Sequence, residues 1–280
     1  MANEIRIDAL LPPEMARRAE YLGVSKAEAP ALRTFVLAVL AGAFIGLGAI
    51  FATTVSAGTS SLPYGVAKLL VGLVFCLGLI LVVIGGAELF TGNNLIVMAW
   101  ASRKVTTGAL LRNWALVYAG NFVGSVGTAV MLVLSKQYTF GGGAVGASAL
   151  AIASGKVQLE WLQALALGTL CNILVCLAVW LTFSARSTID KIAAIIFPIA
   201  AFVAAGFEHS VANMYFIPTG LLIKAVDPGF ALGTGLNLEG LTWGNFVLAN
   251  LIPVTLGNII GGSVFVAAVY WSVFLRQSED

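Results

Sequence analysis

The sequence predicts an all-α membrane protein: six transmembrane helices in an inverted 3+3 repeat, with the second and fifth helices interrupted. Three observations carry that prediction. Of 280 residues, 59% are hydrophobic and only 10% are charged, whereas soluble domains carry about 25% charged residues. Six stretches hold the roughly 20 apolar residues that a crossing helix needs. Two of those stretches are too long for one straight helix, and they share a polar pattern at a fixed offset.

The N-terminal segment, 1–30, is polar and charged, and lacks the apolar core of a cleavable signal peptide. The first span is therefore expected to act as the insertion signal. Within it, "PPEMARRAEYLGVSKAEAP" opens on proline and places Met15, Ala19 and Leu22 on one helical face. Two readings stay open, an amphipathic helix resting on the inner membrane surface and a gating element.

The spans follow at about 32–57, 64–100, 109–135, 160–185, 189–223 and 242–275, within a membrane domain of 31–276 and before a short tail, 277–280. The longest connection, "SKQYTFGGGAVGASALAIASGKVQLE", reads as an outside loop with a short surface helix. Eleven of the fifteen Lys and Arg fall at one side of this arrangement, and four (Lys68, Lys136, Lys156 and Lys224) at the other. The positive-inside rule then makes both termini cytoplasmic, which requires an even number of spans. Cys76, Cys171 and Cys176 all lie in apolar stretches and read as small hydrophobes, with no metal cluster. The net charge of +2 says little about partners, since the distribution of charge matters more than its sum, and no nucleic-acid patch is visible along the chain.

As straight helices the second and fifth spans would run roughly 55 and 50 Å, against a hydrocarbon core of about 30 Å. Each carries polar residues near its middle, "GGAELFTGNN" and "GFEHSVANM". Gly86-x-Glu88-x4-Asn93 recurs as Gly206-x-Glu208-x4-Asn213, and Gly120-Asn121-x-x-Gly124 recurs as Gly257-Asn258-x-x-Gly261. Three spans followed by three related ones insert with opposite orientation, and such folds place their site near the midplane where broken helices meet. A break exposes backbone N–H groups that hydrocarbon cannot satisfy. Glu88 and Glu208 are expected to accept hydrogen bonds from those groups; direct handling of substrate or proton is the other open role.

His209 is the only histidine, and with Glu88 and Glu208 it is the only ionisable group deep inside the expected spans. Such residues usually mark a pathway. A structural, hydrogen-bonded imidazole is the plainer reading; the sharper one is a pore residue that donates to an anion, with the Thr91 hydroxyl fixing its tautomer. Phe75 and Leu79 share one helical face, and Phe202 lies seven residues before His209. These are either ordinary packing or hydrophobic constrictions flanking the histidine.

Three motifs, "GAELFTGNN", "GTLCNILVCLA" and "GFEHSVANMY", together with the N-terminal "PPEMARRAEYLGVSKA", resemble those of the formate/nitrite transporters, and among them the bacterial formate channels. The resemblance spans nearly the whole chain. It implies an aquaporin-like protomer assembled as a homopentamer in the bacterial inner membrane, each protomer with its own pore for formate, nitrite or hydrosulfide, and no cofactor. It implies that His209 is the central pore residue with Thr91 as its partner. Asn172 and Asn258 match pore-lining asparagines, and Phe75, Leu79, Leu89, Val175 and Phe202 match constriction residues. Asn93 and Asn213 accompany the glutamates at the breaks. It also implies a second-span loop that moves in gating, together with the N-terminal helix at low pH.

Two further classes remain. A channel for water or small neutral solutes would leave the Glu-His pair unexplained, and the paired Asn-Pro-Ala loops of such channels are absent. An intramembrane acid-base enzyme needs more convergent groups than one His and two Glu. Coupling to ATP has no phosphate-binding loop to support it.

Overall fold

A computed structural model describes residues 10–276, and every regular element among them is helical. In chain order these are α1 (Pro12–Ala27), α2 (Ala31–Ala57), α3 (Tyr64–Gly85), α4 (Val97–Ala101), α5 (Thr107–Leu134), α6 (Ala144–Val157), α7 (Trp161–Thr182), α8 (Thr188–Ala204), α9 (Ser210–Val226), α10 (Pro228–Gly233) and α11 (Trp243–Phe274). A 3-10 turn, Gly92–Ile96, leads into α4. Helices α2, α3, α5, α7 and α11 are each long and apolar enough to cross a membrane. The expected tail, 277–280, lies outside the described residues.

The two overlong stretches are each interrupted. One runs α3, break, 3-10 turn and α4; the other runs α8, break and α9. Long helix α11 stays continuous but loosens into π-helical turns at Phe246–Leu251 and Ile260–Ala268.

The short helix expected within 135–160 is present, but it is buried against protein and not superficial. This stretch holds the fourteen-residue α6, whose Val145, Ala149, Leu150, Ala153 and Val157 are buried. Small residues make that burial possible, since a Cβ at Gly220 of α9 would strike the Ala153 methyl of α6. Helix α1 likewise packs on protein and not on lipid alone. Met15, Ala16, Ala19, Gly23 and Ala27 face inward, and Gly23 lies against Ala99 of α4 and Ile96.

The Gly-Asn-x-x-Gly echoes are packing signatures. Gly120 and Gly124 let α5 lie against the backbone of α2, where a Cβ at Gly124 would collide with the Val39 carbonyl. Gly257 and Gly261 do the same for α11 on α7, against the carbonyls of Leu165 and Thr169. Close backbone approach through glycine is the usual route to tight helix association where lipid removes the hydrophobic driving force. The three cysteines are buried and unpaired.

Candidate functional site

Both breaks are built the same way. Helix α3 ends on Gly86 at φ +73°, and the helix before the other break ends just ahead of Gly206 at φ +74°. Glycine occupies this left-handed region without the penalty a Cβ brings. Ala87 N–H donates to the Val82 carbonyl, and Phe207 N–H to the Phe202 carbonyl, the closure expected of a Schellman end. The next amides reach across to neighbouring helices, Glu88 N to Leu37 O at 3.2 Å and Glu208 N to Leu167 O at 3.3 Å.

An asparagine then clamps each break. Asn121 Oδ1 accepts from Phe90 N at 2.9 Å, while its Nδ2 donates to Ala38 O and Glu88 O. Asn258 Oδ1 accepts from Ser210 N at 2.9 Å, while its Nδ2 donates to Gly168 O and Glu208 O. Carbonyls, the two asparagine amides and the His209 imidazole thus accept from N–H groups at the breaks, and the expectation that the Glu carboxylates accept from them is corrected.

The carboxylates instead close two rings of side chains. Lys26 Nζ sits 2.8 Å from Glu88 Oε1, Asn93 Nδ2 donates to Glu88 Oε2 and to Asn113 Oδ1, and Asn113 Nδ2 returns to the Lys26 carbonyl. Lys156 Nζ sits 2.7 Å from Glu208 Oε1, Asn213 Nδ2 donates to Glu208 Oε2 and Asn250 Oδ1, and Asn250 Nδ2 returns to the Lys156 carbonyl. A buried carboxylate needs this compensation, because an unpaired charge in low dielectric is costly. Asn113 and Asn250, and the site roles of Lys26 and Lys156, escaped the sequence reading, whereas Asn121 was already paired with Asn258 in the Gly-Asn-x-x-Gly echo. The 130-residue offset between the lysines, which places each at the end of the helix preceding a span, and the 137-residue offset that Asn113 and Asn250 share with Asn121 and Asn258, could have flagged them.

Between the breaks lies His209, 3% exposed. Its Nε2 is 3.0 Å from Thr91 Oγ1. Its Nδ1 accepts the Ala212 backbone N–H at 3.1 Å, so the imidazole caps α9. A neutral ring that accepts at Nδ1 carries its proton on Nε2. The tautomer is thus set by the start of α9, where the sequence reading assigned that task to Thr91. Thr91, accepting from Nε2, keeps its own hydroxyl proton to donate.

His209 lines a cavity of about 500 Å³. Phe75 and Phe202 stand on its wall with ring centroids 5.7 Å apart, edge to face, and Phe202 stacks over the imidazole at 5.9 Å. Leu79, Leu89 and Val175 are buried in the core nearby but do not line this cavity. Leu89 occupies, at the 120-residue offset, the place that His209 holds in the other break. Asn172 is fully buried, its Nδ2 directed to Thr91 O, Asn94 Oδ1 and Asn258 O. Asn172 and Asn258 therefore brace the backbone beneath the Thr91–His209 pair and do not reach the cavity. Among the described residues no group of His, Cys, Asp and Glu is placed to hold a metal.

Comparison with known proteins agrees along nearly the whole chain. The family model described as formate/nitrite transporter matches residues 13–272. "Formate channel FocA" of Escherichia coli (strain K12) is 46% identical over 276 residues, covering 97% of each chain. The protein of the same name from Haemophilus influenzae is 42% identical, covering 91% of this chain and 92% of its own. A solved structure titled "Pentameric formate channel with formate bound" superposes with a TM-score of 0.82 at 50% identity, covering 88% of this chain and 98% of that one. The chain belongs to the formate/nitrite transporter family.

Proposed function

We propose that the protein conducts formate and related small monovalent anions across the bacterial inner membrane, passively or linked to a proton, through a pore in each protomer of a homopentamer. Formate and the pentamer are carried over from the solved relative with formate bound. In this reading α2, the α3–α4 stretch, α5, α7, the α8–α9 stretch and α11 are six crossings in an inverted 3+3, aquaporin-like arrangement, with both termini cytoplasmic. The paired hydrogen-bond sets at the two breaks, recurring at matched positions, support it. The protein is a transporter and not an enzyme.

The observation that carries the reading is His209 in the lining of an aromatic-walled cavity, hydrogen-bonded to Thr91, which is buried behind it where the two interrupted stretches meet. A carboxylate entering that wall loses hydration, a loss of several kcal/mol if nothing replaces it. To receive the anion the Nε2–H of His209 turns from Thr91 Oγ1 to a carboxylate oxygen, the hydroxyl proton that Thr91 retains is a second donor, and Phe75 and Phe202 exclude the water that would compete. Handing the anion a proton is a separate route. It requires the ring to be protonated first, which puts a second N–H against the Ala212 amide and gives up that cap. Leu79, Leu89 and Val175 form the constriction on the far side of the pair.

His209→Phe, reconstituted in liposomes and assayed for formate flux against pH, tests this. Flux falls and its pH dependence flattens. An unchanged rate with an unchanged pH profile removes the histidine from the mechanism.

A further inference from the structure

The cavity above His209 is lined by two lysines in different electrical states. Lys156 is held 2.7 Å from Glu208 Oε1, so that pair contributes no net charge. Lys68 projects into the same cavity from α3 and forms no ion pair among the described residues. Its Nζ lies 5.5 Å from the Tyr64 ring centroid. That contact holds an ammonium in place by the ring quadrupole without cancelling its charge. With His209 neutral, the lining carries one net positive charge, and it is that of Lys68.

Position along α3 fits a recruiting role. Lys68 precedes Phe75 by seven residues, two turns along one face, or about 10 Å above the aromatic wall. Ser56 and Thr59 line the same region, so the entrance is polar where the wall below it is not. We infer that Lys68 gathers anions at this mouth, a positioning residue that raises their local concentration ahead of the constriction and never touches them at His209. The inference rests on the transport reading above and extends it.

Coulomb's law sets the size of the effect. A unit charge about 10 Å away, in a medium between water and half its dielectric constant, changes anion occupancy roughly two- to fourfold. Salt removes it, because the screening length falls from about 30 Å at 0.01 M to about 3 Å at 1 M.

The test compares initial rates of labelled formate entering from the Lys68 side of oriented proteoliposomes for wild type, Lys68→Gln, Lys68→Glu and Lys68→Arg. At about 0.01 M ionic strength the Gln variant raises the half-saturating formate concentration roughly two- to fourfold and leaves the maximal rate unchanged. The Glu variant raises it further, Arg restores the wild-type value, and in 1 M salt the four proteins converge. An unshifted Gln variant at low salt, or a deficit that persists in high salt, overturns the inference while leaving formate transport by the wild type intact. A wild type that carries no formate overturns both. Should Lys68→Gln fail to assemble, Lys68→Cys labelled after assembly with cationic or anionic thiosulfonate reagents gives the same readout. Equal low-salt rates for the two labels refute the idea.

Discussion

Replacing Lys156 with methionine tests the ring of side chains around the second break. The substitution keeps most of the side chain's apolar bulk and removes one charge. Glu208, whose side chain is 5% exposed, then loses the ammonium 2.7 Å away and keeps two amide donors, Asn213 at 2.6 Å and Asn250 at 3.2 Å, both on Oε2. Breaking a buried pair costs about 3–5 kcal/mol through the charge left behind. With half the carboxylate still bonded, the lower end, about 3 kcal/mol, is expected. At about 2–4 °C per kcal/mol for chains near this size, the apparent Tm of the assembled protein falls by about 6–12 °C. The corresponding change at the first break, Lys26→Met, is a control of the same chemistry in a wetter place, since those side chains are 32% and 14% exposed. Water replaces more of the lost interaction there, and the expected cost is about 1 kcal/mol, or about 2–4 °C. A second check is Lys156→Met combined with Glu208→Gln, which removes the stranded charge and recovers part of the loss. Thermal unfolding of the detergent-solubilised protein, followed by size-exclusion chromatography, measures all three. Equal losses for the two lysine variants, or a larger one for Lys26→Met, refute the argument that burial sets the cost.

Two further outcomes follow from local geometry. Thr91→Val keeps the shape of the side chain but leaves Nε2–H of His209 without its acceptor and removes one of the two proposed donors to the anion; formate flux drops by about tenfold, the size of one lost charge-assisted hydrogen bond, while Thr91→Ser stays near wild type. Glycine substitutions separate strain from collision: Gly206→Ala meets nothing within 4 Å and bears only the left-handed backbone cost of about 1–2 kcal/mol, whereas Gly257→Ala drives a methyl into the Leu165 carbonyl and abolishes recovery of folded protein, as read by yield after solubilisation.

Much of this site was legible in the chain. Excess length in the stretches 64–100 and 189–223, with Gly86 and Gly206 at matched positions, located both breaks before any coordinates, because no straight helix of that length fits a bilayer. His209 and Thr91 were brought together from the same pattern. The roles of Glu88 and Glu208 were not: their carboxylates lie near helix breaks, yet besides Asn93 and Asn213 of the same motifs they are bonded by Lys26 and Lys156, 62 and 52 residues away. The burial of the helix expected within 135–160 was missed for a related reason. Its alanines and glycines have the composition of a loop, and only their fit against Gly220 shows them to be a buried helix face.

The sequence by itself determined how many apolar stretches the chain has, where two of them must break, and which lone imidazole lies between the breaks, because hydropathy, length and glycine are properties of a segment taken alone. The tertiary structure alone decided which lysine neutralises which glutamate, that Asn172 and Asn258 brace the backbone beneath the pair, that the Ala212 amide and not Thr91 sets the His209 tautomer, and that Lys68 is left with its charge uncancelled. Those outcomes depend on distances between residues far apart in the chain, which packing fixes and spacing does not encode.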